Sequence, residues 1–175
     1  MKKSFNLKFI TIAIAVLGFS VSGMAQVNAT ATATAEIIDD ANSITKTSDL
    51  NFGKIIRASS WGSVSVDFNN QATYQTVSAP ANAGVTTAYF TVHGTSGSNF
   101  YLTVPGSLTL TSTGGNSITV NTISVSVDSV TGVNGTIGED GTSSVSIGGT
   151  LGIPGNQATG VYSNTTDFVV TVNYN

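Results

Sequence analysis

His93, the acidic pairs Asp39-Asp40 and Glu139-Asp140, and the lone tryptophan Trp61 are the residues of this chain whose types could do chemistry. A histidine can act as a general base or a metal ligand. A metal site needs several convergent donors, however, and His93 is the only histidine. It ends an alternating stretch beside Gly94, where a turn or surface position is expected. Adjacent carboxylates can hold Ca²⁺, but neither pair has the spacing of a helix–loop–helix calcium loop and no further ligand set accompanies them. Solvated turns are the expectation for both. Glycoside hydrolysis needs two carboxylates a few ångströms apart, and nothing selects one pair among nine acids. There is no G-x-S-x-G, no Walker loop and no strand–GxGxxG–helix unit. Trp61, between Ser59-Ser60 and Gly62, is expected as a core or edge plug before a sugar platform, given the area it buries. No catalytic, cofactor-binding or metal-ligating residue is assigned, and an enzyme is not expected.

The elements that would carry any site follow from composition. Only 9% of the 175 residues are charged, against about 25% in an average soluble protein. Yet 40% are apolar, and there are 19 glycines and no cysteine. β-Branched residues fit pleated sheets and Gly, Ser and Asn fit turns, which favours strands over helices. The absence of Cys removes disulfides, thiolate metal sites and a cysteine nucleophile. A formal charge of −3 argues against a nucleic-acid binder, which needs a basic face to displace phosphate counterions.

Lys2, Lys3 and Lys8 precede an apolar run from Phe9 to Leu17, and Gly23 and Ala25 occupy −3 and −1 of a cut before Gln26. This is the layout of a secretory signal peptide. The run is too short for a stable membrane anchor, which needs about 20 residues. Removing residues 1–25 takes three of the six positive charges and no negative one, leaving 150 residues with a formal charge of −6. The expected organisation is a signal peptide over 1–25, an N-terminal extension or first strand over 26–38, and one β domain over 39–175.

Within that domain the period is two. Val64, Val66 and Phe68; Ala88, Phe90 and Val92; Phe100, Leu102 and Val104; Leu108 and Leu110; Ile123, Val125 and Val127; Val145 and Ile147; Leu151 and Ile153 each alternate with smaller or polar residues. Turn signals separate them at Asn69-Asn70, Gly94 to Asn99, Thr113 to Asn116, Gly132 to Gly141 and Pro154-Gly155-Asn156. Seven or more short antiparallel strands with one apolar face predict an all-β, immunoglobulin-like sandwich, with a β-barrel as the alternative.

Both ends of this chain stand out. Ala29, Ala31, Ala33, Ala35 and Ile37 alternate with polar residues over about 30 Å of extended chain. They form either an ordinary or frayed first strand or a strand that completes the sheet of another molecule. At the C-terminus, Gly160, Tyr162, Phe168, Val170, Val172 and Tyr174 end the protein on an apolar strand. Such a strand must be covered, because an open apolar edge templates aggregation.

Gly160, fourteen residues before the penultimate Tyr174, and the alternating Phe168, Val170 and Val172 resemble the C-terminal signature of chaperone–usher fimbrial subunits. The stretch Ser43 to Ile55 (SITKTSDLNFGKI) looks like the opening motif of the bacterial secreted domain-of-unknown-function family 4402. Gly148-Gly149-Thr150-Leu151, Gly160-Val161-Tyr162 and the closing strand are similar to that family's C-terminal half.

The fimbrial resemblance implies an incomplete sandwich on a Gram-negative cell, with an apolar groove beside its last strand. A periplasmic chaperone fills the groove first, and the N-terminal extension of the next subunit then replaces it, giving head-to-tail self-polymerisation. In that scheme Ala29, Ala31, Ala33, Ala35 and Ile37 donate, and the strand Phe168 to Tyr174 accepts. The small alanines depart from the bulkier donors of such subunits, so that the groove is shallow, Ile37 and Ile38 anchor the strand, or the segment stays within its own chain. The expectation is thus an exported structural or interaction protein of the cell surface, fimbrium or periplasm. The alternatives are a monomeric adhesin that binds carbohydrate or matrix through Trp61, Tyr74 or Tyr89, and, more remotely, a secreted hydrolase.

Overall fold

Alternating apolar residues build strands wherever one face can be buried, and among the described residues of this chain they build little else. The computed structural model describes Thr32, Thr34, Ala35 and residues 42–175. Contacts divide the chain into Met1–Ile37 and Ile38–Asn175. In the first unit the three described residues are exposed and lie outside any strand. The signal-peptide residues and the donor candidates Ala29, Ala31, Ala33 and Ile37 lie outside the described residues, as does the pair Asp39-Asp40.

The described residues of the second unit form twelve strands and no helix: β1 Ser43–Ser48, β2 Gly62–Val66, β3 Ala72–Gln75, β4 Ala88–His93, β5 Asn99–Thr103, β6 Leu108–Ser112, β7 Ser117–Val127, β8 Val130–Thr131, β9 Asn134–Thr136, β10 Thr142–Ile153, β11 Tyr162–Ser163 and β12 Thr171–Tyr174. All pairings between them are antiparallel. The larger sheet runs β1-β4-β10-β7-β6-β11, with β2 and β3 extending from β10 and β8 from β7. The smaller sheet runs β12-β5-β9. The all-β, antiparallel architecture expected from the sequence is therefore observed.

The two longest strands organise the molecule. Along one edge β10 pairs first with β4, up to Ile147↔Ala88, and then with β2, from Gly149↔Val66. Gly148 sits at the change of partner, and a Cβ there would collide with the backbone carbonyl oxygen of Val66. Only glycine lets β2 and β10 approach so closely. This changing partnership lets the large sheet curl, and two apolar cores result. One lies between the sheets, where Phe100 and Leu102 of β5 meet Ala88, Val92, Val125, Val145 and Ile147 of the large sheet. The other lies inside the curl, where Val64, Val66, Leu108, Val120, Leu151 and Ile153 gather around Phe52.

Four local expectations change. Val145–Ile147 and Leu151–Ile153 are parts of one strand, because both intervening glycines pair with β7, and Gly149 with β2 as well, rather than turning. β7 begins at Ser117, earlier than its apolar alternation suggested. The stretch Gly132–Gly141 contains β9, and Ile137 within it is fully buried. Finally, the terminal segment is not a single strand. Tyr162 belongs to β11, paired with β6 in the large sheet, whereas Thr171–Tyr174 pair with β5 in the small one. The chain crosses between sheets over residues 164–170, so Gly160 and Tyr162 do not share a strand with Val172 and Tyr174.

Candidate functional site

The crossing leaves two stretches of irregular backbone facing each other. The first, residues 49–57, continues from β1. Its hydrogen bonds point to one side: Asn51 and Thr86 exchange backbone bonds of 2.9 and 3.0 Å, the Lys54 amide donates to the Ala83 carbonyl at 2.8 Å, and the Ile56 amide donates to Ser78 at 2.8 Å. With the 78–86 strip taking those bonds, the Leu50–Ile55 side chains are free to point the other way. Phe52 is buried in the core and Leu50 and Ile55 pack against it.

The second wall is residues 157–168. β11 ties it to β6, and the Asn164 side-chain amide donates to the Thr109 carbonyl at 2.9 Å. A tight turn follows, in which Asn164 Oδ1 accepts the amides of Thr166 and Asp167 at 3.1 and 2.8 Å. The Asp167 carboxylate accepts from the Asn164 side chain and the Thr166 hydroxyl, which together hold its pKa below the ordinary value of 3.8. Gly160 adopts φ of +154°, a backbone region that disfavours any side chain, where the wall turns towards β11.

Between the walls lies a cleft of about 600 Å³. Its floor is apolar: Leu108, Leu110, Ile118, Leu151 and Ile153 from β6, β7 and β10. Phe168 closes the side nearer the small sheet and packs against both cores. The lower end is pinned where Arg57 Nη1 donates to the Gln157 carbonyl at 3.1 Å and the Asn156 amide donates to Ala58 at 2.9 Å. Gln157 in turn donates to the Tyr162 hydroxyl at 2.9 Å, which itself donates to Ala158. Beyond Phe168, outside the cleft, the Tyr174 hydroxyl lies 2.7 Å from the His93 carbonyl and 3.1 Å from that of Ser43, so the tips of β12, β4 and β1 meet.

The residues singled out at the C-terminus thus border one feature. Phe168 lines the cleft with Gly160 and Tyr162, and Val170, Val172 and Tyr174 continue from it along the small sheet. Phe168, Val170, Val172 and Tyr174 are each only half-buried, while their partners Phe100 and Leu102 are buried. Among the described residues β12 pairs on one side, with β5, and β1 on one side, with β4. Leu50, Phe52 and the floor residues went unrecognised from sequence as parts of a cleft; the motif Ser43–Ile55 contained the first two, but nothing local shows that it faces residues a hundred positions away.

Chemically the cleft offers apolar surface. Among the described residues its charged lining groups are Asp49, Lys54 and Arg57, and the Asp49 carboxylate is engaged by Lys46. Such a lining suits an extended apolar segment rather than proton transfer. A second hollow, of about 490 Å³, is polar and lies by Tyr89, Asp128 and Ser144. Its groups bond internally: Tyr89 Oη donates to the Phe68 carbonyl, and Asp128 accepts from Ser143 Oγ and the Ser144 amide at 2.6 and 2.8 Å.

The other candidates are scattered. His93 ends β4, half-buried. Asp140 accepts from the Thr142 hydroxyl and amide, which hold its pKa below the ordinary 3.8, as expected of a solvated turn. Among the described residues no three of His, Asp and Glu come together as metal donors. Trp61 is no plug: it is 58% exposed at the foot of β2, because Gly62 and Ser63 rather than the indole fill the space against β10 and β3.

Comparison with curated proteins and with solved structures finds no match. The opening stretch that forms β1 and the first cleft wall, the glycines at the turning point of β10, and the second wall with its closing strand all fall within residues 43–174, which match one family profile, and the chain belongs to that family, the Domain of unknown function (DUF4402).

Proposed function

We propose that this chain is an exported subunit of a fimbria- or pilus-like surface fibre, joined to its neighbours by β-strand donation. The observation that carries the reading is the apolar cleft between residues 49–57 and 157–168, bordered by a terminal strand whose large side chains are only half-covered. A strand laid there would cover Phe168 and the apolar floor at Leu108, Ile118 and Ile153. Each fully buried side chain of this size contributes about 1.5–3 kcal/mol.

The occupant is the segment Ala29–Ile37 of a second copy. It alternates small apolar and polar residues and reaches about 30 Å when extended. Donor and acceptor are different surfaces, so the contact is heterologous and propagates into a fibre. Residues 1–25 direct the chain across the inner membrane, and a periplasmic chaperone shields the cleft until the donor arrives. Deleting Gln26 to Ala35 tests the reading: head-to-tail polymers, seen as a ladder by size-exclusion chromatography and electron microscopy, are expected to vanish. Assembly that survives the deletion would retire strand donation.

A second reading, a carbohydrate- or matrix-binding adhesin, is supported by the exposure of Trp61. Glycan-array binding lost on Trp61→Ala by a monomeric protein would favour it.

A further inference from the structure

We infer that the cleft is polarised: it takes the donor segment of a second copy with the acidic end, Glu36 to Asp40, at the basic lower end formed by Lys54 and Arg57, and with Ile37 as the anchor on the apolar floor. This rests on the strand-donation reading and adds the direction, the register end and the chemistry of recognition.

The direction follows from the walls. Ser43 begins β1 beside Tyr174, and the chain descends through residues 49–57 to Arg57, which meets Gln157. The opposite wall runs from Gln157 through Tyr162 to Phe168, and the chain continues from there into β12 and Tyr174. A strand pairing antiparallel with β12, as every pair among the described strands does, therefore enters at the Tyr174 end and leaves at Arg57. Its C-terminal residues lie at the bottom.

Charge selects the same direction. Of the six Lys and Arg residues, Lys2, Lys3 and Lys8 belong to the leader and Lys46 is paired with Asp49. The remaining two, Lys54 and Arg57, are both exposed and both line the cleft. Among the described residues neither is in a salt bridge; Arg57 donates only to a backbone carbonyl. The segment 26–40 carries Glu36, Asp39 and Asp40 and no cation. Run the other way, its three carboxylates would reach the upper end, where Lys46 is already engaged.

Shape agrees. Ala29, Ala31, Ala33 and Ala35 bring only methyl groups, whereas Ile37, on the same alternating face, brings a side chain large enough for the floor at Ile118 and Ile153. The small alanines are thus the part of the donor that runs along β12, beyond the cleft floor.

The test is charge exchange in the full chain. Lys54→Glu with Arg57→Glu makes a reversed acceptor; Glu36→Lys with Asp39→Lys and Asp40→Lys makes a reversed donor. Polymerisation is followed by light scattering at low salt. Each reversal alone is expected to slow assembly about tenfold, and the chain carrying both to recover to within about threefold of wild type. The differences should collapse near 1 M salt, where screening shortens the reach of charge to about 3 Å. Lys54→Gln with Arg57→Gln, which removes charge without adding repulsion, should fall between wild type and the reversal. Wild-type polymers indifferent to every reversal, or a combined variant that fails to recover, would overturn the polarity and leave strand donation standing. A wild type that never polymerises overturns both. Reversals that shift only the melting point of a persistent monomer would mean that the chain fills its own cleft, which overturns the second-copy assignment.

Discussion

Replacing Gly148 by alanine tests how the curled sheet is held. The added Cβ would abut the Val66 carbonyl oxygen and lie 3.3 and 3.4 Å from the carbonyl carbons of Val66 and Asp67. All three are backbone atoms, so no side chain can swing aside; β2 itself must move. β2 carries Val64 and Val66, which are 0% and 4% exposed in the inner core. Forcing an extra methyl into a packed site costs about 1–3 kcal/mol. Against this, alanine is favoured over glycine within a strand by about 0.5–1 kcal/mol. The net expectation is a loss of about 1–2 kcal/mol. In a domain of this size that lowers Tm by about 2–8 °C, at about 2–4 °C per kcal/mol. Gly106 provides the control, since nothing lies within 4 Å of its Cβ position and its φ is outside the left-handed region. Gly106→Ala should leave stability unchanged or raise it by up to about 1 kcal/mol. Equilibrium urea unfolding of both variants gives the comparison. A Gly148→Ala protein as stable as wild type would refute the argument that β2 and β10 need a bare backbone at their crossing.

Phe168→Ala should destabilise by about 1.5–3 kcal/mol, below the 3–5 of a fully enclosed phenylalanine, while Val169→Ala next door, 59% exposed, should stay within about 0.5; chemical denaturation distinguishes them. Asp140 and Asp167 have depressed pKa values when folded, so the stability that they contribute is present above pH 3.8 and is lost as pH falls below it through the folded values. Asp140→Asn should therefore flatten the acid limb of a Tm-versus-pH curve between pH 5 and 2, and leave the neutral plateau level with pH. Trp61→Ala should shift Tm by no more than about 2 °C, because the indole is mostly in solvent; calorimetry is sufficient to check it.

Alternation made much of the fold readable before any coordinates. Val64 and Val66, Phe100 and Leu102, and Val125 and Val127 all point into the cores as their spacing implies. What failed was the reading of glycine. Gly148-Gly149 and Gly152 look like interruptions, yet they lie within a twelve-residue strand, because β2 and β7 press against it from both edges. Asn134-Gly135-Thr136 looks like turn and is strand, because Gly135 lies against the ring of Phe100. The cleft was legible on one side only. The terminal apolar residues announced a surface needing cover, but the opposing wall is irregular backbone placed by bonds to residues 78–86, and irregular backbone has no period to read. The exposure of Trp61 had no local signal either, since its flanking serines and glycine suit a buried notch and a surface bend equally.

The seam at the end of the chain has a consequence for how the protein is made. β12 meets β5 some seventy residues back, and the Tyr174 hydroxyl reaches Ser43 across 131 positions. Contacts so distant in sequence are slow to form and cannot begin before Tyr174 has been made. A nascent domain therefore waits unlatched until residues 171–174 arrive, and a chain cut short before them would never fasten.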